Sequence, residues 1–300
     1  MKNVLSVDVE DWYHILEVAS APDISEWNSL PSCVERNFGR LLDLFSENNV
    51  HVTCLFLGYI AQRFPQLVKE AFNRGHEVAS HGFAHRLVYT MTPQTFLEDT
   101  RKSKDILENI IGKPVLGYRA PGFSVTQDTP WFFEKLLEAG HCYDSSVFPA
   151  PRQHGGMNTN RYEPHLTADG LIEFPITVAS VLAKRWCFFG GGYLRLFPYP
   201  VIRQMSRQVM KENRPVIFYL HPREIDPDHP RLTLTRKRAF KSYVNLKTTE
   251  PKLRRILSDF EIGTFAEFIS ENSSLFGDGK TLGRKPPVPE GKPVAASEVA

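Results

Sequence analysis

Val4-Leu5-Ser6-Val7-Asp8-Val9-Glu10-Asp11 is the stretch on which the fold turns. Its apolar, β-branched opening reads as a strand, and the strand carries a carboxylate, Asp8, into what should be core. A charge in that position demands a cation, a hydrogen-bond network or a shifted pKa. Strand side chains repeat their direction every two residues, so Asp8 and Glu10 can face one cavity, with Asp11 just beyond. The structural alternative is three solvated loop acids capping the next segment.

Working outward, similar short runs recur at 52–57, 77–80, 117–119, 141–144, 172–174 and 216–219, with helical patterns between most of them. Thr92-Pro93 is an N-cap with proline at the first helical position, and Gly112-Lys113-Pro114 ends the helical stripe that follows. Gly75 and Gly140 close two more helices. Repeated strand-helix alternation implies right-handed crossovers and a largely parallel sheet, either doubly wound or closed into a barrel. The polar residues decide between the two. Asp8, His81, Arg119, Asp144 and His221 each stand at the same end of a different predicted strand, the place where parallel barrels gather their catalytic groups. The expected fold is therefore α/β: a distorted, incomplete parallel (β/α) barrel of about seven strands.

His81 and His85, four apart, would share one side of a helical turn and could grip one metal ion. In a chain with 10 histidines the spacing alone is a weak signal, and the acids near the amino terminus strengthen it. Arg119, before the rigid turn Ala120-Pro121-Gly122, is placed to orient Asp8 through a bidentate pair. Asp144 reads equally as a cap or turn residue. Trp12, Pro121, Gly122 and Phe123 are candidate pocket walls. Gly192 and Tyr193, in Gly190-Gly191-Gly192-Tyr193, offer close backbone approach and a stacking ring for a sugar, or simply a turn before a helix.

The 300 residues carry 36 basic and 34 acidic side chains, too balanced to imply a nucleic-acid surface. Cys33, Cys54, Cys142 and Cys187 are widely spaced and read as reduced thiols. No stretch approaches the roughly 18 apolar residues of a membrane span, and the first residues meet acids too soon for a secretory leader, so a cytoplasmic protein is expected. Residues 153–171 read as a long surface loop. The glycine-, proline- and lysine-rich end reads as a mobile tail, which divides the chain into a catalytic domain at 1–275 and a tail at 276–300.

The ordered set Asp8-Val9-Glu10-Asp11, His81-x-x-x-His85, Arg119-Ala120-Pro121-Gly122, Asp144 and Leu220-His221-Pro222 resembles the polysaccharide deacetylases, carbohydrate esterase family 4. Thr53-Cys54-Leu55-Phe56-Leu57-Gly58 and Gly75-His76-Glu77-Val78-Ala79-Ser80-His81 extend the likeness. Gly190-Gly191-Gly192-Tyr193-Leu194-Arg195 and His221-Pro222-Arg223-Glu224-Ile225-Asp226-Pro227 look like the branch found beside bacterial exopolysaccharide gene clusters with an exosortase system, elaborated from about residue 185.

The resemblance implies hydrolysis of the N-acetyl group of an amino sugar in a glycan. It also implies one divalent ion, Zn2+, held by His81, His85 and a carboxylate, Glu10 or Asp11. Asp8 would be the base, held by Arg119, and His221 would protonate the leaving amine, with Asp144 holding His221 or another residue near it. Two departures stand out: Val9 follows Asp8 where the family usually has a second aspartate, and Gly82 replaces a hydroxyl residue after the first histidine. Competing readings are a small-amide or cyclic-imide hydrolase on a related barrel, and a glycan-binding protein with a dead site. The sequence leaves the oligomeric state open.

Overall fold

β1 (Asn3–Val9) is buried along its whole length, and it is the hub of the sheet. The computed structural model describes residues 1–150, 155–157, 159–182 and 184–277. Next along the chain come β2 (Thr53–Phe56), β3 (Glu77–Ser80), β4 (Gly117–Tyr118), β5 (Tyr143–Asp144), β6 (His165–Leu166) and β7 (Ile172–Glu173). The series ends with β8 (Ala179–Val181), β9 (Lys184–Trp186), β10 (Ile217–Leu220) and β11 (Ile262–Gly263). Nine of these make one sheet in the order β10-β1-β2-β3-β4-β5-β7-β6, with β11 also on β1. All its pairings are parallel except β6 on β7. β10 and β6 end the path without pairing to each other, so the described sheet is an open barrel, as the strand-end pattern predicts.

The helices are α1 (Val34–Glu47), α2 (Gly58–Arg63), α3 (Pro65–Asn73), α4 (Pro93–Ile111), α5 (Phe132–Glu138), α6 (Gly191–Leu196), α7 (Tyr199–Lys211), α8 (Arg236–Tyr243), α9 (Thr249–Asp259) and α10 (Phe265–Glu271). α1 buries Val34, Phe38, Leu41, Leu42 and Phe45, a helical stripe, against the sheet. α4 starts on Thr92, whose side chain accepts from the Thr95 N–H, and stops at Gly112 in the left-handed conformation (φ 66°).

Three expectations shift. The stretch at 153–171 is not wholly a loop, since it contains β6, and its last residue, Leu171, is core beside Phe96 and Phe132. Phe276, assigned to the tail, is 2% exposed and packs on Phe174, so the ordered chain runs past 275. The remainder of the expected tail, 278–300, lies outside the described residues. The part beyond 185 is more than an elaboration, because β10 and β11 both pair with β1. No described helix is long and apolar enough to cross a membrane.

Candidate active site

Asp8 emerges from β1 into a cage built around Arg119. The guanidinium is 0% exposed, and its Nη1 donates to Asp8 Oδ1 at 2.6 Å and to Ser6 Oγ at 2.8 Å. Its Nε and Nη2 donate to the Ser145 carbonyl and hydroxyl at 3.0 and 3.1 Å. The rings of Phe123, Tyr219 and Phe265 surround it, each less than 6 Å away (5.5, 5.7 and 5.8 Å). Arg119 thus holds Asp8 by one N–H, not by the expected two-pronged pair. Asp8 Oδ2 is left turned toward His221 Nε2, 3.9 Å away.

After Val9 the chain bends, with the Glu10 N–H donating to the Asp8 carbonyl at 2.9 Å, and the bend brings Glu10 onto the same cavity. Glu10 Oε1 lies 3.1 Å from His81 Nε2 and 2.9 Å from His85 Nε2, all three side chains being buried. Burial alone would raise the Glu10 pKa. The charges of His85 and His221 and the hydrogen bonds to His81 and His85 outweigh it and hold the carboxyl well below the usual range.

His81 Nδ1 is 2.7 Å from the Arg119 carbonyl, which can only accept, so Nδ1 donates there and Nε2 is the ring atom turned to the cavity carboxylate. Nε2 faces Glu10 Oε1 at 3.1 Å. Together with His85 they form a nitrogen, nitrogen and oxygen set within 4.8 Å of one another, which fits a divalent ion of the zinc type.

The histidine pair does not lie on a helix. Residues 81–87 are irregular, with Gly82 (φ 73°) and His85 (φ 53°) both left-handed. Asp99 of α4 accepts from the N–H groups of Phe83 (2.7 Å) and Ala84 (3.3 Å), while the first N–H groups of α2 donate to the Gly82 and Phe83 carbonyls. The backbone at 82 accounts for glycine there: a Cβ would sit 3.1 Å from Asp99 Oδ2 in a conformation that other residues rarely adopt.

Asp11 faces away from this triad. Its carboxylate accepts from the Ser32 hydroxyl and from the Trp12 and Cys33 N–H groups, serving the start of α1. Of the two carboxylates proposed from sequence, only Glu10 meets the histidines. Trp12 is also displaced: its indole N–H donates to the Pro31 carbonyl at 2.9 Å, and the ring belongs to the core. Pro121 is buried and does not line the cavity, whereas Gly122, Phe123, Gly192 and Tyr193 do.

Asp144 does not touch His221. It accepts from the Ser146 N–H (3.0 Å) and hydroxyl, and Ser146 Oγ in turn accepts from the Ala120 N–H at 2.7 Å. It pairs in register with Glu173 on the neighbouring strand. Burial pushes Asp144 up to about 6, and burial plus the Asp144 charge pushes Glu173 well above the ordinary range, so this pair tends to hold a proton. Its role is to secure the turn after Arg119.

The residue that holds His221 is Glu224, which the sequence reading missed. Glu224 Oε2 lies 3.1 Å from His221 Nδ1 and accepts the His221 N–H at 3.0 Å, while Oε1 accepts from Arg195 Nε at 2.8 Å. Arg195, 2% exposed, also donates to the carbonyls of Lys241, Ser242 and Val244. Burial opposes ionisation of Glu224, but Arg195 and His221 hold it far below its usual value. Burial would likewise lower His221, yet Glu10, Glu224 and Asp8 together raise it above its ordinary value. A glutamate three residues after histidine, with proline between, is the capping pattern that signals this contact.

Asp8, Glu10, His85 and His221 open into one cavity of ≈750 Å3. The arrangement sets the Asp8 carboxylate and the His221 imidazole beside a cluster that could hold a metal ion.

Residues 27–137 match the model of the family described as Polysaccharide deacetylase. Residues 145–270 match a Domain of unknown function, DUF3473. A peptidoglycan deacetylase of Helicobacter pylori is 32% identical over 108 residues, covering 36% of this chain and 36% of that protein. A peptidoglycan-N-acetylglucosamine deacetylase of Bacillus cereus is 28% identical over 102 residues, covering 34% of this chain and 46% of that protein. The matched part thus spans less than half of either relative. The crystal structure of a protein from Mycobacterium smegmatis assigned as a polysaccharide deacetylase superposes with a TM-score of 0.60 at 18% identity, covering 94% of each chain, a likeness of fold.

Proposed function

We propose, from the match of residues 27–137 to the polysaccharide deacetylase family model, that the chain removes N-acetyl groups from amino sugars of a glycan by metal-assisted hydrolysis. The supporting observation is that Asp8, Glu10, His85 and His221 line one cavity, with His81 completing the cluster that could hold a metal ion. His81, His85 and Arg119 come from the part that matches the deacetylases, His221 and Glu224 from the part of unknown function, and Asp8 and Glu10 from outside both.

Glu10, His81 and His85 would hold a divalent ion, which would supply Lewis acidity for a bound water and an acyl oxygen. Asp8 Oδ2 takes a proton as the water oxygen bonds to the acyl carbon, and Arg119 fixes Oδ1 so that the other oxygen keeps its aim. His221 delivers a proton from Nε2 to the sugar nitrogen as the C–N bond breaks, leaving acetate and a free amine. Glu224 on Nδ1 steadies the charged ring, and Arg195 fixes Glu224. The glycan is assigned to bacterial exopolysaccharide biosynthesis, as polymer or precursor, on the strength of the 190–195 and 221–227 motifs.

Incubating the protein with an N-acetylglucosamine hexamer is expected to release acetate and free amine in equal amounts, to stop after stripping with a chelator, and to resume with Zn2+. Sugar binding with metal but no acetate would make the protein a binding module. Turnover of small amides or cyclic imides without metal would support the other hydrolase.

Glu224→Gln is expected to lower kcat at neutral pH by roughly tenfold to a hundredfold, part of what a positioned acid contributes. The sign of its pH effect follows from the charge. His221 acts in its protonated form, so kcat/KM falls as pH rises through its pKa. Removing the Glu224 charge takes away one of the influences that raise that pKa, so the alkaline limb moves to lower pH. An unmoved limb in the variant's pH profile would detach Glu224 from proton delivery.

A further inference from the structure

α8 reads Arg236-Lys237-Arg238-Ala239-Phe240-Lys241-Ser242-Tyr243, four cations and no acid in a chain whose net charge is only +2. Lys237, Arg238 and Lys241 line the catalytic cavity and also a second one of ≈750 Å3, bounded on its far side by residues 17–20 and 233–235. The two cavities therefore meet along this helix. Lys237 and Lys241 are exposed and lie one helical turn apart, where like charges repel. Among the described residues no carboxylate forms an ion pair with either. The guanidinium of Arg238 donates to the Leu16 carbonyl at 2.7 Å, which ties the helix to the loop after β1. The one acid on the second cavity, Glu17, accepts from the Tyr89 hydroxyl.

Two further observations connect this wall to the chemistry. Arg195 bonds the carbonyls of Lys241, Ser242 and Val244 at the end of α8 and, through Nε, Glu224, the partner of His221. The basic wall is therefore set at a fixed place relative to the proton donor. Phe240, 57% exposed, also lines the catalytic cavity and offers a ring face to a pyranose.

We infer that the α8 wall is a subsite for an anionic sugar, so that the glycan on which this site acts carries carboxylates close to the N-acetyl group it loses. This rests on the function proposed above and names its substrate class: an acidic heteropolysaccharide rather than a neutral homopolymer. A carboxylate beside Lys237 and Lys241 relieves their mutual repulsion and pairs with both, while the sugar's apolar face covers Phe240. An anionic lipid surface is the rival occupant. It is less well served, because Lys237, Arg238 and Lys241 share the cavity that Asp8, Glu10, His85 and His221 line, instead of facing only an outward plane.

The test compares hyaluronan hexasaccharide, which alternates glucuronate with N-acetylglucosamine, with the neutral N-acetylglucosamine hexamer on the full chain. At 50 mM NaCl the acidic oligomer is expected to show a KM roughly tenfold lower, and the gap should narrow at 300 mM. In Lys237→Gln/Lys241→Gln the ratio of the two KM values should approach one. Titration of both oligomers into Asp8→Asn reads binding without turnover. If neither releases acetate but the acidic one still binds more tightly in a salt-dependent way, the hydrolytic reading fails and the subsite stands. Equal binding of the two, or a preference that salt and the double substitution leave untouched, overturns the subsite. Co-sedimentation with phosphatidylglycerol vesicles in the absence of any glycan preference would transfer the wall to a membrane and overturn it as well.

Discussion

Asp8→Asn is expected to lower kcat for acetate release about a thousandfold, within the range for losing a positioned general base, while leaving the stoichiometry of bound divalent metal unchanged. Asparagine keeps the volume and can still accept from Arg119 Nη1 through its amide oxygen, so the cage around the guanidinium persists. What disappears is the oxygen that faces His221 with a negative charge. His85→Ala makes the opposite change. It removes one of three ligand atoms and is expected to lose the ion together with activity. Measuring metal content beside turnover in both variants separates base from ligand. Wild-type turnover in Asp8→Asn would remove Asp8 from the reaction.

The positions of these groups were legible in the sequence to different depths. The apolar run at 4–9 ends in carboxylates, and that pattern has few explanations other than a site at a strand end. The reason Glu10 joins Asp8 is not strand alternation, however. β1 stops at Val9, and the bend at Glu10 delivers its side chain. Likewise the histidine spacing pointed to two rings that do come together beside Glu10, but through a different geometry, because Asp99 and the start of α2 shape an irregular loop from residues distant in sequence.

Asp144 shows where strand-end position fails as a guide. It states that a side chain is near the rim but not which neighbour it meets, and here the neighbours are Ser146 and Glu173. Trp12 and Asp11 belong to the same class: both are adjacent to a site residue in the chain, and both serve the segment before α1. Glu224 was missed because its contact is made in a short 3-10 turn after β10, a local feature that hydrophobic periodicity does not report.

Arg119→Met should be the most destabilising single change at the site, costing about 3–5 kcal/mol because it leaves the Asp8 carboxylate buried without its cation. In a chain of this length that corresponds to a fall in Tm of about 5–8 °C. The cost arises from the partner left behind, since a methionine fills much of the same space among Phe123, Tyr219 and Phe265. Neutralising that partner should therefore recover part of the loss, and Asp8→Asn/Arg119→Met is expected to be more stable than Arg119→Met alone. Urea denaturation of the two single variants and the double variant gives the coupling energy directly, and a value near zero would deny that the pair is an energetic unit. Stability and chemistry are linked at this residue by its backbone as well. The Arg119 carbonyl fixes the His81 ring, so the strand end that anchors the base also aims a ligand, and loosening it should weaken metal retention in Arg119→Met even though no ligand has been removed.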